Sequence, residues 1–222
     1  MDNIKYTKEE LIAFEEEIAQ RFNNKEIKAP IHLDNGNEDQ LIRVFEKYVN
    51  EDDYVCGTWR QHYKCLLKGV KPEELTKEIL EGRSIGLCFP KYKILSSAIV
   101  GGIFPISLGI AKAIKLKNQK NKVVVFGGEM SYMTGIAREC IEYARNFKLP
   151  ILFVCENNEK SVCTPSRDSW GLTDKVGNRK YFWWELTAYV KDGPINVVGN
   201  DFIYYSYESK WPHAGSGSRI NF

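Results

Sequence analysis

The sequence predicts an α/β fold, a parallel sheet flanked by helices on both faces, and two runs in the middle of the chain carry that expectation. Lys-Val-Val-Val-Phe at 122–126 and Ile-Leu-Phe-Val-Cys at 151–155 are short and almost continuously apolar. Strands that read this way are covered on both sides, as in parallel sheets. Residues 134–147 between them have helical spacing, so strand, helix and strand make one parallel βαβ unit.

The other elements follow in chain order. Thr7 with Glu10 is a capping box, and Leu11, Phe14, Ile18 and Phe22 recur at helical spacing, which predicts a helix over 7–23. Leu41, Val44, Phe45 and Tyr48 give a second helix over 38–48. Pro72-Glu73-Glu74 opens a third that ends near Gly82. Gly101-Gly102 precedes an apolar helix over 103–114. After residue 160 the pattern weakens: Tyr181–Tyr189 reads as helix or strand, Phe202–Tyr207 as β by residue type, and Trp211–Phe222 as loop. We expect one domain over 1–222, with its core at about 30–165, the helix 7–23 ahead of it and an extension at 166–222.

The composition restricts function. The chain has 222 residues, 43% hydrophobic, enough for a core of this size, and a net charge of +2. So balanced a charge argues against nucleic acid or a membrane surface as partner. Lys112, Lys115 and Lys117 interrupt the longest apolar candidate for a span. The acidic, amphipathic start is unlike a signal or transit peptide, so a cytoplasmic location is expected. The six cysteines contain no CxxC pair and are expected to be reduced, Cys155 as a core thiol.

Ligands of parallel sheets sit at the carboxyl ends of the strands, here Gly127–Ser131 and Glu156–Asn158. Glu129 follows the first strand, and Asn157 and Asn158 follow the second. A carboxylate, an amide oxygen and a backbone carbonyl make the hard oxygen set that magnesium takes together with phosphate. A helix starting near Tyr132–Gly135 would aim free amides at the same place, which favours a diphosphate. An ordinary βα loop, with the Asn pair capping a turn, fits the same residues.

The run Gly128–Asn158 resembles the thiamine-diphosphate motif, which opens Gly-Asp-Gly and closes Asn-Asn. Lys148–Asn158 is similar to the alpha subunits of thiamine-diphosphate-dependent 2-oxo acid dehydrogenases. Upstream, in the same order, His32–Glu38 resembles the family's His-Leu-x-x-Gly-Gln-Glu. Thr58–His62 resembles its Thr/Ala-aromatic-Arg-x-His, and Ala98–Gly102 its Gly-Ile-Val-Gly. These matches span about residues 30–165 and imply the thiamine-diphosphate-binding fold.

The resemblance implies thiamine diphosphate and Mg²⁺ as cofactors and assigns roles. Glu129, the side chain of Asn158 and the carbonyl of Lys160 would hold the metal. Arg60 would meet the diphosphate beside Trp59, with Gly128 and Met130 around it. The backbones of Ala98 and Val100 would face the aminopyrimidine, and Val162 would support the bent cofactor. His32 would lie by the substrate carbonyl and His213 near the diphosphate. His62 fits either an acid–base group or a satisfied structural histidine. The implied reaction is decarboxylation or aldehyde-fragment transfer on a 2-oxo acid or related carbonyl. It would need a beta-type partner subunit, in an alpha2beta2 assembly, to supply the activating glutamate.

Three departures qualify the match. Gly-Glu-Met stands at 128–130 where the family has Gly-Asp-Gly, so an extra methylene must be accommodated. The family's alpha subunits continue well beyond the histidine-bearing segment, so a stand-alone two-subunit enzyme is expected rather than a component of a lipoyl-acyltransferase complex. Lys64 stands where the family often has a second histidine, and it is a candidate basic group for sugar phosphates if the chain is instead a split transketolase-like carboligase. A degenerate, non-catalytic scaffold subunit is the other alternative.

Overall fold

The computed structural model describes residues 6–169 and 194–217. Helices α1 (Lys8–Asn23) and α2 (Glu38–Tyr48) precede strand β1 (Tyr54–Gly57). Next come α3 (His62–Leu67), α4 (Pro72–Leu80), β2 (Cys88–Phe89), β3 (Ile94–Ser96) and α5 (Ile103–Leu116). The central unit is β4 (Val123–Gly128), α6 (Glu129–Tyr132), α7 (Gly135–Asn146) and β5 (Ile151–Asn157). A hairpin of β6 (Lys160–Ser161) and β7 (Thr164–Pro165) leads to α8 (Ser166–Ser169), and β8 (Asn196–Val198) and β9 (Phe202–Ser206) close the fold.

Seven strands form one sheet in the order β2-β3-β1-β4-β5-β9-β8. The inner five are parallel, and β2 and β8 pair antiparallel at the edges. Alternation along the strands divides the core. Val124, Phe126, Leu152, Val154, Ile203 and Tyr205 face α1 to α4. Val123, Val125, Phe153, Cys155, Phe202 and Tyr204 face α5 and α7. This is the two-faced parallel sheet that the apolar runs require.

The helices at 7–23, 38–48, 72–82, 103–114 and 134–147 and the strands at 122–126, 151–155 and 202–207 all form, with ends shifted by a few residues. The capping box of α1 is present, with Thr7 Oγ1 3.2 Å from the Glu10 amide. One expectation changes. The helix start near Tyr132–Gly135 is split: one turn, α6, follows β4 directly, and α7 is capped by Thr134, whose hydroxyl accepts from the Ala137 amide at 3.4 Å. The turn adjoining the end of β4 is therefore α6. The Tyr181–Tyr189 segment and the last residues of the tail lie outside the described residues.

The parallel strands all end on one edge. Gly57 is in register with Ser96, Gly128 with Glu156, and Asn157 with Ser206. Chain order reverses between β1 and β4, since β3 lies on the far side of β1 while β4 and later parallel strands lie on the near side. A crevice opens at such a switch point. Thr58–Arg60 leaves one of its walls and Glu129 the other.

Candidate functional site

The segments after β1 and β9 meet the loop ahead of α2. Arg60 Nη2 donates to the carbonyl oxygen of His213 at 3.1 Å, and His32 Nδ1 lies 2.5 Å from the same oxygen. The imidazoles of His32 and His213 pack edge to face at 4.8 Å, and the Trp59 ring lies tilted 5.5 Å from His32 and edge to face 5.7 Å from His213. Four sequence-predicted residues from three segments are thus in direct contact.

A backbone carbonyl can only accept, so the contact fixes hydrogen on His32 Nδ1 and leaves Nε2 as a proton acceptor. Burial pushes the His32 pKa down to about 4, and Arg60 adds to the effect against the carbonyl's opposing pull. The ring is neutral at physiological pH. His213 is lowered as well, by burial and by Arg60. Among the described residues Arg60 Nε is buried without a hydrogen-bond partner, a donor suited to an anion.

The second group lies across the crevice. Glu129, 6% exposed, begins α6 directly after Gly128. Burial raises its pKa, while the Ser166 hydroxyl and the backbone amides of Asn158 and Lys160 pull it down. The carboxylate therefore faces the chain leaving β5, and Ser166 Oγ donates to its Oε1 at 2.5 Å. The methylene that Glu129 adds reaches this serine. Asn158 Oδ1 accepts from the Lys160 amide at 3.1 Å and Asn157 Oδ1 from the Glu159 amide at 2.9 Å, so both amides fold into turns.

Glu129 and the Asn158–Lys160 turn come together, with the backbone N–H groups of Asn158 and Lys160 directed at the carboxylate. Among the described residues no group of three or more His, Cys, Asp or Glu is gathered for a metal. One carboxylate with two neutral oxygens fits an ion that takes its remaining ligands from a phosphate and water, as magnesium does. Tyr207 is buried after β9: burial raises its pKa, the charge of Arg60 lowers it, and those of Glu156, Asp34 and Glu129 raise it further.

Other candidates are placed differently. Ala98 and Val100 follow β3 at the same edge and are exposed, Val100 by 54%. Gly101 beside them has φ +75°, and a Cβ there would meet Ile136 Cγ2 at 2.8 Å, so this turn requires glycine. Met130 is half-buried in α6. Val162 is 57% exposed in the β6–β7 turn at φ 58°, a left-handed conformation that a β-branched residue seldom takes.

His62 is completely buried. Its Nδ1 is 3.1 Å from both Glu15 carboxylate oxygens and its Nε2 is 2.9 Å from Ser84 Oγ, so neither nitrogen is open to a ligand. Burial alone would lower its pKa, but the Glu15 carboxylate outweighs burial and raises it. Lys64 is also fully buried, paired with Glu156 and Asp34, and so is not a basic group facing a sugar-phosphate funnel.

Sequence reasoning missed Ser166, Tyr207, Glu15 and Lys64's buried partners. Tyr207, at the end of the β-like run, Glu156, at the end of its strand, and Asp34, inside the His32–Glu38 run, carried a sequence signal; Ser166 and Glu15 did not.

The model of the dehydrogenase E1 component family matches residues 6–178. The chain belongs to that family. It is 29% identical over 221 residues to the alpha subunit of acetoin:2,6-dichlorophenolindophenol oxidoreductase of Bacillus subtilis, covering 94% of this chain and 63% of that protein. It is 28% identical over 242 residues to the mitochondrial pyruvate dehydrogenase E1 component subunit alpha of Dictyostelium discoideum, covering 99% and 61%. The Cupriavidus necator acetoin oxidoreductase alpha subunit is 29% identical over 177 residues, covering 75% and 52%. The E1 chain thus spans less than two thirds of each of these relatives.

Proposed function

We propose that this E1 chain is the diphosphate- and magnesium-binding half of a thiamine-diphosphate-dependent enzyme acting on a 2-oxo acid or related carbonyl compound. The observation that carries the reading is the convergence of the Glu129 carboxylate on the Asn158–Lys160 turn, across a switch-point crevice from Arg60. Family membership and the names of the matched relatives support it.

In this reading Glu129, the Asn158 amide oxygen and the Lys160 carbonyl hold Mg²⁺. Arg60, with its unpartnered Nε, holds a diphosphate oxygen. When bound, thiamine diphosphate supplies the carbon nucleophile that adds to the substrate carbonyl and stores the electron pair released by decarboxylation. Ala98 and Val100 line the aminopyrimidine side, Gly128 and Met130 the diphosphate side, and Val162 supports the bend. His32, neutral and with Nε2 unprotonated, accepts or returns a proton near the substrate, while His213 closes the diphosphate end. His62, with both nitrogens engaged, supports the fold.

The reading requires a beta-type subunit, in an alpha2beta2 assembly, to complete the site at the interface. It places the enzyme in the cytoplasm, in keeping with six free cysteines. Among the described residues no helix is long and apolar enough to cross a membrane.

The test is calorimetric titration of thiamine diphosphate with Mg²⁺ into the chain co-expressed with a beta-type subunit. Saturable, Mg²⁺-dependent binding at one cofactor per heterodimer is expected. A stable complex that binds none would replace the enzymatic reading with that of a scaffold subunit.

A further inference from the structure

Beneath the crevice, on the α1–α4 side, lies a buried ionic cluster that the proposed chemistry does not use. At its centre is Lys64 on α3, whose side chain is fully buried. Its Nζ is 3.0 Å from Glu156 Oε1 and 3.5 Å from Asp34 Oδ1, and it donates to the Arg60 carbonyl at 3.0 Å. It also lies 5.5 Å from the centre of the Phe126 ring. Glu156 Oε1 accepts from Tyr205 Oη at 2.7 Å and from Asn37 Nδ2 at 3.2 Å as well. Burial alone would lower the Lys64 pKa, but Asp34 and Glu156 outweigh burial and raise it, so the ammonium stays charged.

The three partners of this ammonium lie on three separate walls of the site. Asp34 follows His32 by two residues, the Arg60 carbonyl belongs to the proposed diphosphate residue itself, and Glu156 precedes Asn158 by two. We propose that Lys64 is a positioning residue that ties the His32 loop, the Arg60 segment and the β5 end into one geometry. The proposal rests on the cofactor reading above. Buried ion pairs add little net stability compared with packed apolar residues, so the contribution of this one lies in geometry. A histidine, which the family often has here, is shorter than lysine and lacks its three rotatable donors.

The decisive variant is the double substitution Lys64→Met with Glu156→Gln. It leaves the cluster with its native net charge, and the amide oxygen introduced by Glu156→Gln can still accept from Tyr205 and Asn37. Should Lys64→Met alone fail to fold, the double variant carries the test. Two readouts are compared with the native chain, each with the beta-type subunit present. Amide hydrogen exchange should speed up together in residues 32–38, 58–63 and 156–161, with the β1–β4 ladder unchanged. Affinity for thiamine diphosphate with Mg²⁺ should fall about 10–100-fold, as for other residues that orient ligands from behind. Native exchange in these segments, or native affinity in a folded double variant, would overturn the proposal. If the native complex itself binds no cofactor, the cofactor reading fails and the exchange experiment still decides whether Lys64 ties the walls together.

Discussion

Arg60 Nη2 and the backbone oxygen of His213 are 3.1 Å apart, although the two residues are 153 positions apart in the chain. The segment after β9 is thereby folded back over the segment after β1. Its hold is reinforced where the Gly215 amide meets the Ile31 carbonyl at 2.9 Å. The site thus has a floor of strand ends and a wall made by a late part of the chain.

Arg60→Ala should weaken thiamine diphosphate far more than thiamine, because a guanidinium recognises the phosphate and not the rings. A hydrogen bond to a charged group is worth about 1.5–3 kcal/mol, so a loss of roughly 10–100-fold is expected for the diphosphate alone. Equal loss for both ligands, measured by calorimetry, would remove Arg60 from the diphosphate site.

Glu129→Ala should abolish Mg²⁺-dependent cofactor binding and leave the chain folded, since a single turn, α6, carries the residue. Ser166→Ala separates two uses of the carboxylate. It removes the bond at 2.5 Å and should lower Mg²⁺ affinity by less than Glu129→Ala does. Titrations of Mg²⁺ at fixed thiamine diphosphate give the ranking, and an unchanged affinity in Glu129→Ala would refute the metal assignment.

The pH dependence follows from His32. Its folded pKa is about 4, below the ordinary value of 6.5. Between these values the unfolded chain binds a proton that the folded chain does not. Stability is therefore intact above pH 6.5 and is lost as pH falls towards 4, by at most roughly 3 kcal/mol. His32→Asn can keep a donor towards the His213 carbonyl without titrating, so its melting temperature should gain on that of the native chain as pH drops through this window. A constant difference between the two would show that His32 does not have the lowered pKa.

His62 behaves oppositely. His62→Ala leaves the buried Glu15 carboxylate with only the Asp34 amide in place of its imidazole partner, and breaking such a pair costs about 3–5 kcal/mol. Thermal melts should show the loss, while any folded fraction binds the cofactor with native affinity. A folded variant with impaired proton transfer would instead return His62 to the chemistry.

The parts of this fold that the sequence made legible are those in which one physical requirement acts alone. The apolar runs of β4 and β5 are covered on both faces, so nothing but burial shaped them, and Glu129 and Asn158 follow from their ends. β1 and β3 escaped notice because Tyr54–Gly57 and Ile94–Ser96 are very short and adjoin Glu51-Asp52-Asp53 and Lys91-Tyr92-Lys93. Their β character comes from pairing with each other and with β4, a long-range contact that no local window contains. The buried charges were hidden for the same reason. Glu15 stands on the apolar face of α1, four residues after Leu11 and three before Ile18, and the groups that satisfy its carboxylate there, His62 and the Asp34 amide, come from distant parts of the chain.

Val162 joins local strain to the proposed site. It takes φ 58° at the tip of the β6–β7 hairpin, where the left-handed backbone costs an L-residue roughly 1–2 kcal/mol. Glycine would relieve that strain but would lose some stability through its freer unfolded chain, for a net gain of about 1 kcal/mol. In a chain of this size that amounts to about 2–4 °C in melting temperature. If the side chain supports the cofactor's bend, Val162→Gly should raise the melting temperature and lower thiamine-diphosphate affinity together. A stabilised variant with native affinity would show that the strained valine has no part in holding the cofactor.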